Sequence, residues 1–323
     1  MPTQISRILR CVNRDLDRPL NILCSPTHEA YETMLCKTGH RFYSLQHPNL
    51  KRWNCRSRPY PINYQPINHN ALPNDVVFDM VLSQSKWGQF QILGQIAHAL
   101  GCPLIQLEHT IPIRGVNEQQ IKQMKNMNGT VNVYICKWSA DQWWDSTGVA
   151  IEHGIDTNIF CGWNGAMGGV LSVVNQFRER DSLLVFSLWK NVTNGLQTNL
   201  VGDNPGLSQE ATSTDDLVNR YRVAGVFLNT SLQSTYPMAM IEAMAVGCPV
   251  VSTPTCAIPT IIQDGVNGML GYTPEDLRSK LELLLRDKEL ARTIGEAGRQ
   301  TVLHRFGESR FIDDWNNLFR ALA

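Results

Sequence analysis

Short apolar runs alternate with amphipathic stretches along almost the whole chain, and this alternation restricts the fold more than any other feature. Residues 20–24 (LNILC), 76–82 (VVFDMVL), 103–107 (PLIQL) and 131–136 (VNVYIC) are apolar without strict period-two alternation. That is the pattern of parallel strands covered on both faces. Residues 87–100, between two of these runs, have helical spacing. In the second half the candidate strands are 170–174 (VLSVV), 196–201 (LQTNLV), 226–229 (VFLN), 249–252 (PVVS) and, more weakly, 269–270; residues 215–221, 238–246, 274–286 and 288–304 are patterned as helices. A strand–helix alternation run through twice predicts two doubly wound α/β domains, each with a parallel sheet. The 323 residues allow two such domains of roughly 150 each, with a cleft between them.

The seam is expected at the Gly- and Asp-bearing segment IEHGIDTNIFC, so the domains are predicted as 1–150 and 151–306. A last helix over 307–323 places Phe311, Trp315, Leu318, Phe319 and Leu322 on one side, a face that needs a partner surface. Lys+Arg and Asp+Glu balance at 29 each, so no whole-molecule field draws the chain to nucleic acid or an anionic bilayer. The halves differ, with 15 basic against 10 acidic residues in 1–150. Residues 33–74 hold Lys37, Arg41, Lys51, Arg52, Arg56 and Arg58 and no acid. Rich in Pro, Asn, Tyr and His, that span is expected to form long ordered loops, either a solvated surface or a lip for an anionic acceptor. The basic 37–58 segment also allows peripheral membrane contact. No run of eighteen apolar residues occurs, and no apolar stretch follows Arg7, Arg10, Arg14 and Arg18, so a cytoplasmic chain is expected. The nine Cys form no C-x-x-C pair and read as reduced, mostly buried side chains rather than a zinc site.

The most informative stretch is NTSLQSTYPMAMIEAMAVGCPVV (229–251), where a polar loop enters a helix whose first turn contains Pro237. Free amides and the positive dipole end at such a helix start hold an anion such as phosphate. Glu242 lies one turn further on, the lone charge among Met and Ala; either it faces solvent or it accepts hydrogen bonds from a diol such as a ribose. In the first half, Glu108 and His109 directly follow a strand, at the end where α/β ligands bind, and His28 and Glu29 follow the first strand in CSPTHEAYET. His109 suits a catalytic role, with a satisfied core histidine as the alternative. Asp15-Leu16-Asp17 is formally a D-x-D metal motif, but it precedes the first strand in a basic arm and is set aside. No P-loop, G-x-G-x-x-G or H-E-x-x-H is present.

EAMAVGCPVVSTPTCAIPTIIQDGVNGML closely resembles the donor-site signature of family 4 glycosyltransferases of the GT-B fold. The resemblance extends through HGIDTNIF (153–160), GDNPGL (202–207) and RTIGEAGRQTVLHRF (292–306), and so covers most of 150–306. It implies a second domain that binds a nucleotide diphosphate sugar, a first that binds the acceptor, and a final helix that returns to the first. Glu242 corresponds to the second Glu of the family's E-x7-E motif, which holds the ribose, and Ser234 stands at the first. The phosphate turn falls on Thr235, Tyr236, Pro237 and Met238, where Pro237 has no amide to donate. The family's Arg and Lys for the donor pyrophosphate fall on Asn175 and Arg180, with Arg178 a second cation; RERD is also an ordinary surface charge cluster.

The resemblance thus implies a retaining, metal-independent hexosyltransferase that uses a UDP- or GDP-sugar and no cofactor. His109, Arg180 and Glu242 would carry catalysis. Asn175, Arg178, Ser234, Thr235, Tyr236, Pro237 and Met238 would join the donor site, and His28, Glu29 and Glu108 the acceptor site. The acceptor is a carbohydrate, lipid-linked or other hydroxyl. Two alternatives stay open: a non-catalytic glycosyltransferase-like subunit, suggested by Ser234 and a first loop without Gly, and a nucleotide-sugar epimerase of the same architecture.

Overall fold

The computed structural model describes residues 18–73, 75–112 and 116–323. Arg7, Arg10, Arg14 and the Asp15-Leu16-Asp17 triplet lie outside them. The chain divides into two compact units, Met1–Glu152 with Phe311–Ala323, and His153–Arg310.

The first unit contains strands β1 (Asn21–Cys24), β2 (Arg41–Gln46), β3 (Tyr64–Asn68), β4 (Met80–Ser83), β5 (Leu104–Glu108), β6 (Val131–Tyr134) and β7 (Val149–Ala150). They form one parallel sheet in the order β3-β2-β1-β4-β5-β6-β7. Ile22, Leu23, Met80, Val81, Leu82, Ile105 and Leu107 have no exposed surface, as strands covered on both faces require. The helices are α1 (Glu29–Cys36), α2 (Gln89–Leu100), α3 (Glu118–Lys125) and α4 (Lys137–Gln142). The chain winds outward from β1 in one direction and from β4 in the other. The loops after these two strands therefore flank the switch point, where ligands enter such sheets.

The expectation of loops over 33–74 is corrected by β2 and β3. Phe42, Tyr43 and Leu45 are buried in β2, and the basic residues flank this apolar core rather than interrupt it. Pro66 sits in β3, which is an edge strand, where its missing N–H costs no ladder bond on the open side. The strand expected over 76–82 begins only at Met80; just ahead of it Asp79 N–H donates to the Asn21 carbonyl, while its carboxylate pairs with Arg18 at 2.6 Å and accepts from Asn21 N–H.

The second unit contains β8 (Gly168–Val173), α5 (Asp181–Leu184), α6 (Phe186–Val192), β9 (Thr198–Val201), α7 (Thr214–Val223), β10 (Ala224–Asn229), α8 (Met238–Val246), β11 (Val250–Ser252), β12 (Met269–Leu270), α9 (Pro274–Arg286) and α10 (Lys288–Arg305). Its parallel sheet runs β12-β11-β10-β8-β9, so the switch point falls between β8 and β10. Helix α8 has no polar face: Met240, Ile241, Ala243, Met244 and Ala245 are wholly buried, which marks a helix enclosed on all sides. It can be enclosed because Gly295 on α10 lies directly against the Gly247 carbonyl, leaving no room for a side chain.

Helix α11 (Glu308–Leu322) starts in the second unit and continues into the first. Phe311, Trp315 and Phe319 are fully buried there, while Leu318 and Leu322 are half-buried. Phe311 meets the Tyr31 ring edge-on, Trp315 Nε1–H donates to the Tyr31 hydroxyl at 3.1 Å, and Phe319 packs on His40.

Candidate functional site

In the second unit, two loops of the switch point carry the residues singled out for donor binding. After β8, the Asn175 Oδ1 accepts from Asp203 N–H at 2.8 Å, so only its Nδ2 end is left for a ligand. Asn204 ties the same loops together: its Oδ1 accepts from Phe177 N–H and its Nδ2 donates to the Val174 carbonyl. Gly202 has φ +133°, and a Cβ there would collide with the Val174 carbonyl, so this close crossing requires glycine. The Arg178 guanidinium lies over the Phe186 ring at 5.3 Å. Arg180 is solvent-exposed at the N-cap of α5 and has no side-chain partner among the described residues. Neighbouring protein desolvates it and lowers its pKa, but an arginine keeps its charge at neutral pH.

After β10, the loop to α8 is fastened to the Arg180 segment. Leu232 and Gln233 N–H donate to the Leu183 carbonyl, and Thr230 Oγ1 donates to that of Leu184. Ser234 is half-buried, and the Oγ1 of buried Thr235 has no hydrogen-bond partner among the described residues. The Tyr236 side chain turns inward, where its hydroxyl accepts from Arg305 Nη2 at 2.6 Å and lies 2.8 Å from Thr260 Oγ1. It anchors the turn, which leaves its backbone as the part of Tyr236 available to a ligand. Pro237, expected inside the first helical turn, is instead the N-cap residue, and α8 starts at Met238. The first two helical amides, of Met238 and Ala239, donate to no protein acceptor among the described residues. Glu242 is 6% exposed rather than solvent-facing, and the Tyr221 hydroxyl donates to its Oε2 at 2.9 Å.

In the first unit, the residues singled out for acceptor binding and catalysis gather at the ends of β1, β4 and β5. His109 packs edge-on against Tyr31 with centroids 4.7 Å apart, and its ring lies 6.0 Å from that of exposed His28. Its Nε2 is 3.4 Å from the Gln84 Oε1. The two carboxylates are held by protein donors. Glu108 is 1% exposed and accepts from Lys86 N–H and from the N–H and hydroxyl of Thr110, and burial raises its pKa despite these bonds. Glu29 is buried, pairs with Lys51 at 2.9 Å and accepts from Asn54 N–H, so it fastens the basic loop to α1. A surface cavity of about 330 Å³ at the ends of β2 and β3 is lined by His47, Arg52, Asn68 and His69.

Sequence reasoning missed Tyr221, Arg305 and Asn204 in the second unit and Glu32, Gln84 and Lys86 in the first. Asn204 lies within the recognised GDNPGL, Arg305 within RTIGEAGRQTVLHRF and Glu32 within CSPTHEAYET; Tyr221, Gln84 and Lys86 come from a helix and a strand end elsewhere in the chain, and no local pattern marks them. Among the described residues, no group of three or more His, Cys, Asp or Glu is placed to hold a metal ion. No helix among them is long and apolar enough to cross a membrane.

The profile of the family described as Glycosyl transferases group 1 matches residues 203–301. D-inositol 3-phosphate glycosyltransferase of Streptomyces bingchenggensis is 33% identical over 95 residues, 29% of this chain and 21% of that protein. N-acetyl-alpha-D-glucosaminyl L-malate synthase of Bacillus anthracis is 28% identical over 108 residues, 32% of this chain and 28% of that protein. The chain therefore matches less than a third of the length of either relative. Among solved structures, Anabaena HepE in complex with UDP and glucose has a TM-score of 0.77 at 13% identity, covering 94% of this chain and all of that one. Sucrose-phosphate synthase from Thermosynechococcus elongatus has a TM-score of 0.70 at 14% identity, covering 94% and 99%. The fold is that of GT-B glycosyltransferases, two parallel-sheet α/β domains. Residues 203–301 thus resemble a glycosyltransferase group 1 domain.

Proposed function

We propose that this protein is a retaining glycosyltransferase, metal-independent and of family 4 type, that uses a UDP- or GDP-sugar. The observation that carries the reading is the α8 start: amides of Met238 and Ala239 with no protein acceptor among the described residues, then buried Glu242 steadied by Tyr221, beside a loop tied to the Arg180 segment. An anionic diphosphate suits the amides and Arg180, and a ribose diol suits a carboxylate that can accept two hydroxyl hydrogens. Arg178 and Asn175 Nδ2 would complete the pyrophosphate shell. Charge that grows on the leaving oxygen would then meet fixed donors, the electrostatic work that a metal performs in other transferases. In the first unit, His109 would face the reacting sugar and exposed His28 the acceptor. Arg52 with His47 and His69 supports an acceptor that carries negative charge.

Calorimetric titration with UDP, GDP and ADP in excess EDTA tests the donor assignment. Binding of one nucleotide without metal is the expected result, and an absolute requirement for Mg²⁺ or Mn²⁺ in turnover would overturn the metal-free mechanism. Ser234 at the position of the first motif Glu favours one second reading, a binding subunit without catalysis. Following donor hydrolysis over a panel of nucleotide sugars separates the two, because a subunit binds and never turns over. Isomerised sugar without an acceptor would point to the epimerase.

A further inference from the structure

Glu32 is a charged residue that the proposed mechanism does not use, and it lies at the switch point of the first unit. It sits on α1 with 1% of its surface exposed, and its carboxylate takes four hydrogen bonds. Thr27 N–H (3.1 Å) and His28 N–H (3.2 Å) donate to Oε2; Tyr64 O–H (3.1 Å) and Gln84 Nε2 (2.6 Å) donate to Oε1. Gln84 follows β4, and its Nε2 also donates to the Ser25 carbonyl at 3.2 Å. Both acceptors demand the NH₂ end of the amide, so Glu32 and Ser25 together fix which way Gln84 points. The other end, Oε1, then faces His109 Nε2.

We infer that Glu32 is a positioning residue: through the orientation of Gln84 it decides which ring nitrogen of His109 carries the proton. A carbonyl oxygen opposite Nε2 requires a proton on Nε2, which leaves Nδ1 as the ring's acceptor. The 3.4 Å separation is long for a hydrogen bond, as is common for catalytic contacts before substrate binds. If Glu32 gains a proton on Oε1, that O–H needs an acceptor and one of the two donors must turn away. A flipped Gln84 satisfies it at the expense of the Ser25 bond and presents Nε2 to His109, so the proton on the imidazole moves to Nδ1. Burial is the largest influence on Glu32 and raises its pKa to about 7, within reach of this change near neutral pH.

Among the described residues, these groups face the pair. Cys24 on β1 and Cys36 on α1 lie near the Glu32 carboxylate, and burial keeps both thiols protonated. Tyr64 on β3 donates to it. His28 and Tyr31 flank the His109 ring, Glu108 precedes it with its carboxylate held by Lys86 and Thr110, and Glu29 with Lys51 occupies the first turn of α1.

The consequence for catalysis rests on the reading of His109 as the residue facing the sugar; the tautomer assignment does not. Long-range ¹H–¹⁵N NMR on the full chain with ¹⁵N-labelled histidine, assigned with a His109→Gln variant, reads the tautomer directly from pH 5.5 to 9. The parent should show His109 as the Nε2–H form above pH 8. Glu32→Gln presents an NH₂ group toward Gln84, so the amide should flip and His109 should convert largely to Nδ1–H. Gln84→Met keeps the volume but removes the acceptor, and the pKa of His109 should fall by about half a unit or more. Circular dichroism checks that each variant is folded, and Gln84→Met serves if Glu32→Gln is not. Unchanged tautomer and pKa of His109 in the folded variants would overturn the proposal. Donor hydrolysis supplies a separate readout: Glu32→Gln should move the pH profile of kcat and leave nucleotide affinity in place. A His109→Ala variant with full kcat would instead refute the sugar-facing role of His109.

Discussion

Glu242→Gln is the substitution whose effect the structure defines most closely. The side chain is 6% exposed on a helix with no polar face, and its Oε2 accepts from Tyr221 at 2.9 Å. Gln has the same shape and can still accept from Tyr221, so the fold should survive with its Tm little changed. What disappears is the charge and one acceptor, while a new NH₂ points where a ribose hydroxyl would donate. Loss of a charge-assisted hydrogen bond in a buried site costs about 1.5–3 kcal/mol. That corresponds to roughly 10- to 150-fold weaker nucleoside diphosphate binding in a calorimetric titration. Because the ribose contact is present in ground and transition states alike, KM for the donor should rise more than kcat falls. Arg180→Ala should behave differently, since it removes a cation facing charge that grows as the glycosidic bond breaks; kcat should drop by roughly 100-fold. If both variants bind nucleoside diphosphate as tightly as the parent, or Arg180→Ala leaves kcat intact, the donor site lies elsewhere.

Glu32 predicts a pH dependence of stability. Its folded pKa of about 7 lies above the ordinary carboxylate value of 4.5, so between these limits the folded state binds more protons than the unfolded one. Its contribution therefore favours folding at low pH and is lost as pH rises through 7, by an amount on the order of 3 kcal/mol. Urea unfolding at pH 5 and pH 8 should show this loss in the parent and not in Glu32→Gln; equal pH dependence in the two would refute it. Gly202→Ala should weaken nucleotide binding and lower Tm, because the residue adopts φ +133° and the new Cβ meets the Val174 carbonyl. Crystallography of a fully stable Gly202→Ala protein with an undisturbed loop would disprove that. Trp315→Ala empties a fully buried site and orphans the Tyr31 contact, and should cost about 3–5 kcal/mol in denaturant unfolding. A cost below 1 kcal/mol would mean that α11 does not hold the first unit.

The sequence alone determined the features that depend on local pattern. Most buried parallel strands read as unbroken apolar runs, and α9 and α11 show helical periodicity, so these elements were legible within a residue or two, except β4, which starts four residues after its apolar run does. The apolar stripe of Phe311, Trp315 and Phe319 announced that α11 needed a surface, and the motif around Glu242 marked a polar loop entering a helix. Strands β2 and β3 escaped because a Pro- and Asn-rich stretch with six cations reads as loop, and only pairing at the sheet edge makes Pro66 acceptable there. Tertiary structure also decided how each carboxylate is used. Glu29, Glu32, Glu108 and Glu242 are chemically alike in sequence, yet the chain folds donors onto all four: Lys51 and Asn54, then Tyr64 and Gln84, then Lys86 and Thr110, then Tyr221. Those partners come from elements 2 to 52 residues away. A hydrogen bond depends on distance and direction in space, so no periodicity in the sequence encodes which donors meet which carboxylate.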